Sequence, residues 1–235
     1  MLDRLALSFD LQRQFAGNAA HELRTPLAMM QTKLELFTEE HSDVDAETSK
    51  LVQFQIDQVD RLTSLVRTLL EMSNLQSVSR SDEIELAPLI DEILTDLTTL
   101  AEQKNITLHQ NCEDVHMIGS DTLIYRLLFN LIENAIKYNH SGGGVTVSMQ
   151  QENQQVLLHI ADTGCGIPEK YRESIFQPFF RVDKSRSRQM GGVGLGLALV
   201  REIAVLHGGS VCVESGSKDG TTFAVKLPLN GEKTE

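Results

Sequence analysis

The chain has 235 residues, 41% apolar and 5% aromatic, with 33 acidic against 21 basic side chains and a formal charge of −12. That length suffices for one large or two ordinary domains with a real core. So acidic a balance excludes a general nucleic-acid binder, whose affinity comes from clustered Lys and Arg, and any anionic ligand must find a local basic spot.

The chain opens on helix: MLDRLALSFDLQRQF lacks the apolar block and cleavage site of a signal peptide. Leu2, Phe9, Ala16, Leu23, Met30 and Phe37 recur every seven residues, and Ala6, Ala20, Leu27 and Leu34 widen the stripe. The stripe is broader than a two-stranded zipper needs and matches what a four-helix bundle buries. After the polar stretch Glu39 to Ser49, a second helical pattern runs through Val52, Ile56, Val59, Leu62, Val66, Leu69 and Leu70. Two long helices with one short connection predict an antiparallel hairpin. A hairpin cannot close its stripes on all sides, so a homodimer through this region is expected; the alternative is packing on the rest of the same chain.

Polar residues from Ser77 to Glu83 break the helical period. The predicted division is residues 1–76 for the hairpin, 77–83 for a linker, 84–230 for a second domain and 231–235 for a tail. In the second domain, β-rich runs at Ile84–Leu86, Ile106–His109, Val145–Met149, Val156–Ala161, Ser210–Glu214 and Thr222–Leu227 alternate with helical stretches at Pro88–Gln103, Asp121–Tyr138 and Leu195–Leu206. This grammar predicts an α/β sandwich on a largely antiparallel or mixed sheet. No stretch approaches 18 consecutive apolar residues, so no membrane span is expected. Cys112, Cys165 and Cys212 lie far apart, without metal or disulfide spacing, which fits a reducing cytosol.

Four constellations carry chemistry. In FAGNAAHELRTPL, His21 sits two positions before the seam residue Leu23, on the outer side of the helix. A neutral imidazole is a ready nucleophile near pH 7. Glu22 can act as base or orient the ring, and Thr25, one turn on, can position a hydroxyl or water. Pro26 removes the N–H that would bond the Glu22 carbonyl. In LLFNLIENAIKYN, Asn130, Asn134 and Lys137 share one helix face. They read as a polar stripe toward a ligand, with amide oxygen for Mg²⁺ and ammonium for phosphate, or as an exposed helix face; Tyr138 follows. In DTGCGIP, Asp162 ends a strand before Gly164 and Gly166, an acceptor for an amino group beside backbone that a flat ring can approach; a plain turn has the same look. Finally, Arg181 to Arg188 carries a local +3, and Gly191, Gly192, Gly194 and Gly196 follow into a helix. No strand precedes these glycines and no Gly-Lys-Ser/Thr closes them, so they read as a lid over phosphates rather than as either standard nucleotide loop.

Taken together, these residues resemble the sensor histidine kinases of bacterial two-component systems over nearly the whole chain. His21 to Pro26 matches the phosphoacceptor box, Asn130 to Tyr138 the asparagine box and Asp162 to Gly166 the first glycine box. Phe176, Pro178, Phe179 and Arg181 match the phenylalanine box, Gly192 to Gly196 the second glycine box, and Gly220 with Thr221 the last. Ala20 stands where Ser is frequent and Phe180 where Tyr is. The resemblance implies a dimeric four-helix bundle that carries His21, then an ATP-binding domain shared with gyrase and chaperone ATPases. It implies Asp162 on the adenine amino group, Asn134 on Mg²⁺, and Asn130, Lys137, Tyr138 and Arg181 near ATP. Gly164, Gly166, Phe179, Lys184, Gly192, Gly194, Leu195, Gly196 and Thr221 complete the nucleotide set. The reaction implied is transfer of the γ-phosphoryl group to His21 and on to an aspartate of a response regulator, with His21, Glu22 and Thr25 as catalytic residues and phosphatase activity toward that regulator. A cytoplasmic location is expected, with sensor and membrane helices ahead of Met1. The rivals are an ATPase switch, whose glutamate base would stand at Asn130 while Glu133 lies one position off and faces elsewhere, and a non-catalytic dimeric adaptor.

Overall fold

A computed structural model describes residues 2–41, 44–182, 194–217 and 220–230, leaving aside the side chains of residues 2–18, 21 and 217. The proposed tail, residues 231–235, lies outside the described residues. The chain divides into two compact units, one ending at Ser77 and the other starting at Val78.

The first unit is the predicted hairpin, α1 (Leu2–Glu40) and α2 (Ala46–Asn74). Asp45 caps α2: its Oδ1 accepts from the N–H groups of Glu47 and Thr48, both at 2.9 Å, so two orphan donors of the first turn are satisfied. Ala20, Leu27, Val59, Val66 and Leu70 form its core, joined by Leu34 and Leu69. The heptad positions of α1 thus split into two stripes. Ala20, Leu27 and Leu34 pack on α2, whereas Leu23 and Met30 are 50% and 55% exposed.

In the second unit, β1 (Asp82–Glu85) pairs antiparallel with β3 (His116–Gly119) as a separate ribbon. A five-stranded sheet has the order β2-β4-β5-β7-β6, from β2 (Thr107–Cys112), β4 (Gly144–Glu152), β5 (Gln155–Asp162), β6 (Ser210–Ser217) and β7 (Gly220–Pro228). Only β2 against β4 is parallel. One face of this sheet is covered by α3 (Leu86–Asp96), α5 (Asp121–Lys137) and α6 (Gly196–Leu206), with the short α4 (Thr98–Gln103) following α3. Val145, Val147, Leu158, Ile160, Phe223 and Val225 alternate inward from the strands to meet Leu127, Leu128, Leu131 and Ile132 of α5 and Val200 and Ile203 of α6.

Three details differ from the sequence expectation. The helix expected over Pro88–Gln103 starts at Leu86 and is broken at Leu97, which caps α3 and starts α4. Leu86 stands at the junction: its side chain is fully buried, and its N–H, which has no acceptor within the first turn of α3, carries the β1–β3 pairing one residue on by bonding the Val115 carbonyl at 3.1 Å. Strand β3 was not expected: four residues with one buried apolar position before the glycine leave too little periodicity to read. Its partner β1 begins at Asp82, so two residues read as linker are strand.

Candidate nucleotide site and phosphoacceptor helix

The second unit gathers most of its candidate residues at one end of the sheet, and a hydrogen-bonded knot builds the floor. Asn139, just past α5, donates through Nδ2 to the Gly144 carbonyl at 3.0 Å and accepts through Oδ1 from the His140 N–H at 2.9 Å. Thr163 donates its hydroxyl to the same Oδ1 at 3.1 Å while accepting from the Gly144 N–H at 2.9 Å. The Cys165 N–H bonds the Tyr138 carbonyl at 3.2 Å. The end of α5, the start of β4 and the turn after β5 are thus one unit. A Cβ on Gly143 would lie 2.6 Å from the Thr163 hydroxyl and would collide with Asn139 Oδ1, so this knot requires glycine there. Asn139 and Thr163 were not singled out from the sequence. Their signal was available as the Asn of YN and the Thr of DTG, but their role depends on pairing across 24 positions.

Asp162 closes β5, paired in register with Thr221 of β7. Its Oδ1 accepts from the N–H of Gly164 at 2.7 Å and of Thr221 at 3.3 Å, and among the described residues no donor bonds Oδ2. Burial pushes this carboxyl above the ordinary aspartate range, opposed by the two N–H groups and by the nearby His140. A Cβ on Gly164 would collide with the Tyr138 carbonyl and Asp162 Oδ1, so this buried turn packs against the end of α5 only as glycine. Gly166 follows in the left-handed region at φ 68°. Burial raises the Tyr138 phenol, against the opposing pull of the Arg181 cation beside it.

Asn130, Asn134 and Lys137 lie half-buried along α5, at the border between its buried stripe and its exterior. Asn130 donates Nδ2 to the Arg126 carbonyl at 2.7 Å. Its Oδ1 points at the start of α6, where a Cβ on Gly196 would come within 2.6 Å. Gly194, at φ 81°, accepts the Phe179 N–H at 2.8 Å, and Phe179 itself adopts φ 65°. Leu195 and Thr221 are buried. The structure therefore brings Asn130 to Gly196, Phe179 and Arg181 to Gly194, and Asp162 to Gly164 and Thr221. Lys184 and Gly192, with the rest of the basic run beyond Val182, lie outside the described residues. One expectation is corrected: Glu133 does not face elsewhere but meets Lys137 Nζ at 2.9 Å, because positions four apart share a helix face.

In the first unit, the backbone of His21 is helical, one residue after the buried Ala20; its side chain lies outside the described residues. Glu22 and Thr25 are exposed, and Pro26 lies within the helix.

Both units match known families. Residues 11–78 match the "His Kinase A (phospho-acceptor) domain" and residues 119–231 the "Histidine kinase-, DNA gyrase B-, and HSP90-like ATPase". Sensor histidine kinase RppB of Synechocystis sp. is 36% identical over 228 residues, covering 94% of this chain and 50% of that protein. Sensor histidine kinase WalK of Bacillus subtilis is 33% identical over 233 residues, 95% of this chain and 38% of its own length. The chain thus spans half or less of these two relatives. Among solved structures, histidine kinase ThkA in complex with response regulator protein TrrA superposes with a TM-score of 0.67 at 25% identity, over 98% of this chain and 64% of that one. The mycobacterial sensor histidine kinase MprB superposes with a TM-score of 0.56 at 27% identity, over 64% of this chain and 99% of that one.

Proposed function

We propose, since the chain belongs to the two-component sensor histidine kinases as their two-domain core, that it transfers the γ-phosphoryl group of ATP to His21 and from there to an aspartate of a response regulator. The observation that carries the nucleotide half is the half-satisfied carboxylate of Asp162: Oδ1 is fixed by two backbone N–H groups, while no donor among the described residues bonds Oδ2. An adenine ring presents an N–H donor, which Oδ2 can accept.

The residues present also suit the polyphosphate. Asn134 would hold Mg²⁺ through its amide oxygen; when bound, the ion offsets phosphate charge during transfer. Asn130, Lys137, Tyr138 and Arg181 would line the nucleotide, with Phe179, Lys184, Gly192, Gly194, Leu195, Gly196 and Thr221 forming the lid and its base. Phosphoryl transfer asks for positioning and charge neutralisation more than for covalent help, so this set is sufficient. A neutral ring nitrogen of His21 attacks phosphorus; Glu22 orients the imidazole or takes its proton. Since His21 belongs to the first unit and the nucleotide residues to the second, the two must meet across residues 77–83 for transfer.

Thr25 is assigned the positioning of a water that hydrolyses the regulator's phosphoaspartate. The response-regulator complex of a solved relative supports that partner class. The exposed Leu23, Met29 and Met30 support a homodimer through α1, completing a four-helix bundle. Among the described residues no helix is long and apolar enough to cross a membrane, which fits a cytoplasmic core. The ATPase-switch reading is disfavoured because an amide at Asn130 cannot deprotonate water. The test is incubation of the chain with γ-labelled ATP and Mg²⁺. Label on the protein is expected to be lost in mild acid and absent from His21→Gln; acid-stable label, or label that persists in that variant, would sink the reading.

A further inference from the structure

Away from the residues assigned to ATP, one buried imidazole is held through both ring nitrogens. His207, which ends α6, is 4% exposed. Its Nδ1 lies 2.9 Å from the Ile203 carbonyl oxygen and its Nε2 lies 3.0 Å from the backbone N of Ser120. A carbonyl only accepts and an amide N–H only donates. The ring is therefore the neutral Nδ1–H tautomer, donating to Ile203 and accepting from Ser120 through Nε2. Gly119 makes room for it: a Cβ there would stand 3.0 Å from Cδ2 and 3.1 Å from Nε2.

This bond ties the start of α5 to the end of α6, and the opposite end of α6 packs closely on α5, where a Cβ on Gly196 would come within 2.6 Å of Asn130 Oδ1. Ser120 precedes Asn130 by ten positions and Gly196 precedes His207 by eleven. At 1.5 Å per residue these spans are about 15 Å and 17 Å, so the two helices run antiparallel between two matched fixed points. One fixed point is at the candidate nucleotide site; the other is His207.

We propose that His207 is a positioning residue for the nucleotide site: as a neutral imidazole it pins α6 to the start of α5 and so holds Gly196 and the approach to α6 in register with Asn130. The inference rests on the nucleotide reading above. A second proton on the ring sets N–H against N–H, removes the acceptor for Ser120 and frees α6 to shift along α5. Burial holds the imidazole below its ordinary pKa; the Ile203 bond opposes this, and the Arg80 cation ahead of β1 reinforces it. Of the acidic groups at this end, Asp82 accepts the backbone N–H of Asp121 through Oδ2 at 3.1 Å, and the Asp121 side chain is exposed in the first turn of α5.

The test uses the full chain and ATP with Mg²⁺, titrating affinity from pH 8 to pH 5 and following hydrogen exchange at the Ser120 amide. His207→Gln keeps an acceptor that does not titrate. It is expected to bind within about threefold of wild type at pH 7.5 and to lose the part of the acid decline that wild type shows below pH 6.5. His207→Phe is expected to weaken binding about tenfold and to speed Ser120 exchange, since it strands a buried donor. Unchanged affinity in His207→Phe, or superimposable pH profiles for wild type and His207→Gln, overturns the proposal. Where His207→Phe does not fold, the comparison of wild type with His207→Gln carries the test. A wild-type chain that binds no ATP overturns the nucleotide reading instead, and Ser120 exchange then reports the pin alone.

Discussion

At the scale of single residues, Asp162 shows stability set against function. Its folded pKa is raised above the unfolded value, so its contribution to stability is greatest below the unfolded pKa and is lost as pH rises through the folded one. At neutral pH the ionised carboxylate is therefore a cost to the fold, held in place by the N–H groups of Gly164 and Thr221. Asp162→Asn keeps an oxygen for both N–H groups and carries no charge. Its melting temperature is expected to equal or exceed wild type by a few degrees at pH 7.5, while ATP binding falls at least tenfold because the amide is a weaker acceptor for an amino group. Scanning calorimetry and nucleotide titration on the same sample read both; a lower melting temperature with intact binding would place Asp162 in the core rather than the site. The motif at Asp162 was legible in sequence because one strand end and two glycines lie within five residues. The carboxylate's second anchor, Thr221 59 positions on, depends on β5–β7 register, which no local pattern encodes.

At the scale of elements, α5 is the helix on which the candidate site depends, and both of its ends are held from outside. Its start is met by Asp82 and His207. Its last turn receives Lys104, whose Nζ donates to the Lys137 carbonyl at 2.5 Å and lies 3.5 Å from that of Ile136. A cation on the carbonyls of a final turn satisfies orphan acceptors and complements the helix dipole. Lys104→Met keeps the stem and loses the charge. Its expected effect is a loss of about 1 kcal/mol in stability, read by urea denaturation, and a severalfold rise in the KM for ATP with little change in kcat; Lys104→Arg restores both. A kcat loss without a KM change would detach Lys104 from the placement of Lys137 and Tyr138. Helices α1, α2, α5 and α6 were readable because ten or more residues hold one period, and the central strands β4 and β5 because burial alternates along them. The Leu97 break and strand β3 were not, since each is set by tertiary contacts over four residues or fewer.

At the scale of the whole molecule, the two units differ in how much they can bury alone. The second has a continuous core between three helices and the sheet, whereas among the described residues the hairpin's core shows five buried side chains and leaves Leu23, Met29, Met30, Leu51 and Phe54 exposed. A two-helix hairpin cannot enclose its apolar stripes on all sides, and a stripe repeated at heptad spacing is what a second copy would cover. Calorimetry of the full chain is therefore expected to show two transitions that respond to different variables. The hairpin transition is expected to rise with protein concentration, since dissociation accompanies unfolding, and to ignore ATP. The transition of the second unit is expected to be independent of concentration and to rise with ATP and Mg²⁺, by an amount equivalent to about 2.7 kcal/mol at a hundredfold excess over Kd. Leu27→Ala, which opens the hairpin core without touching Asp162 or α5, is expected to cost about 2 to 4 kcal/mol and to lower the first transition alone. A single transition that moves with both variables would mean that the units unfold as one body, and a concentration-independent hairpin would mean that its exposed stripe is covered within the chain.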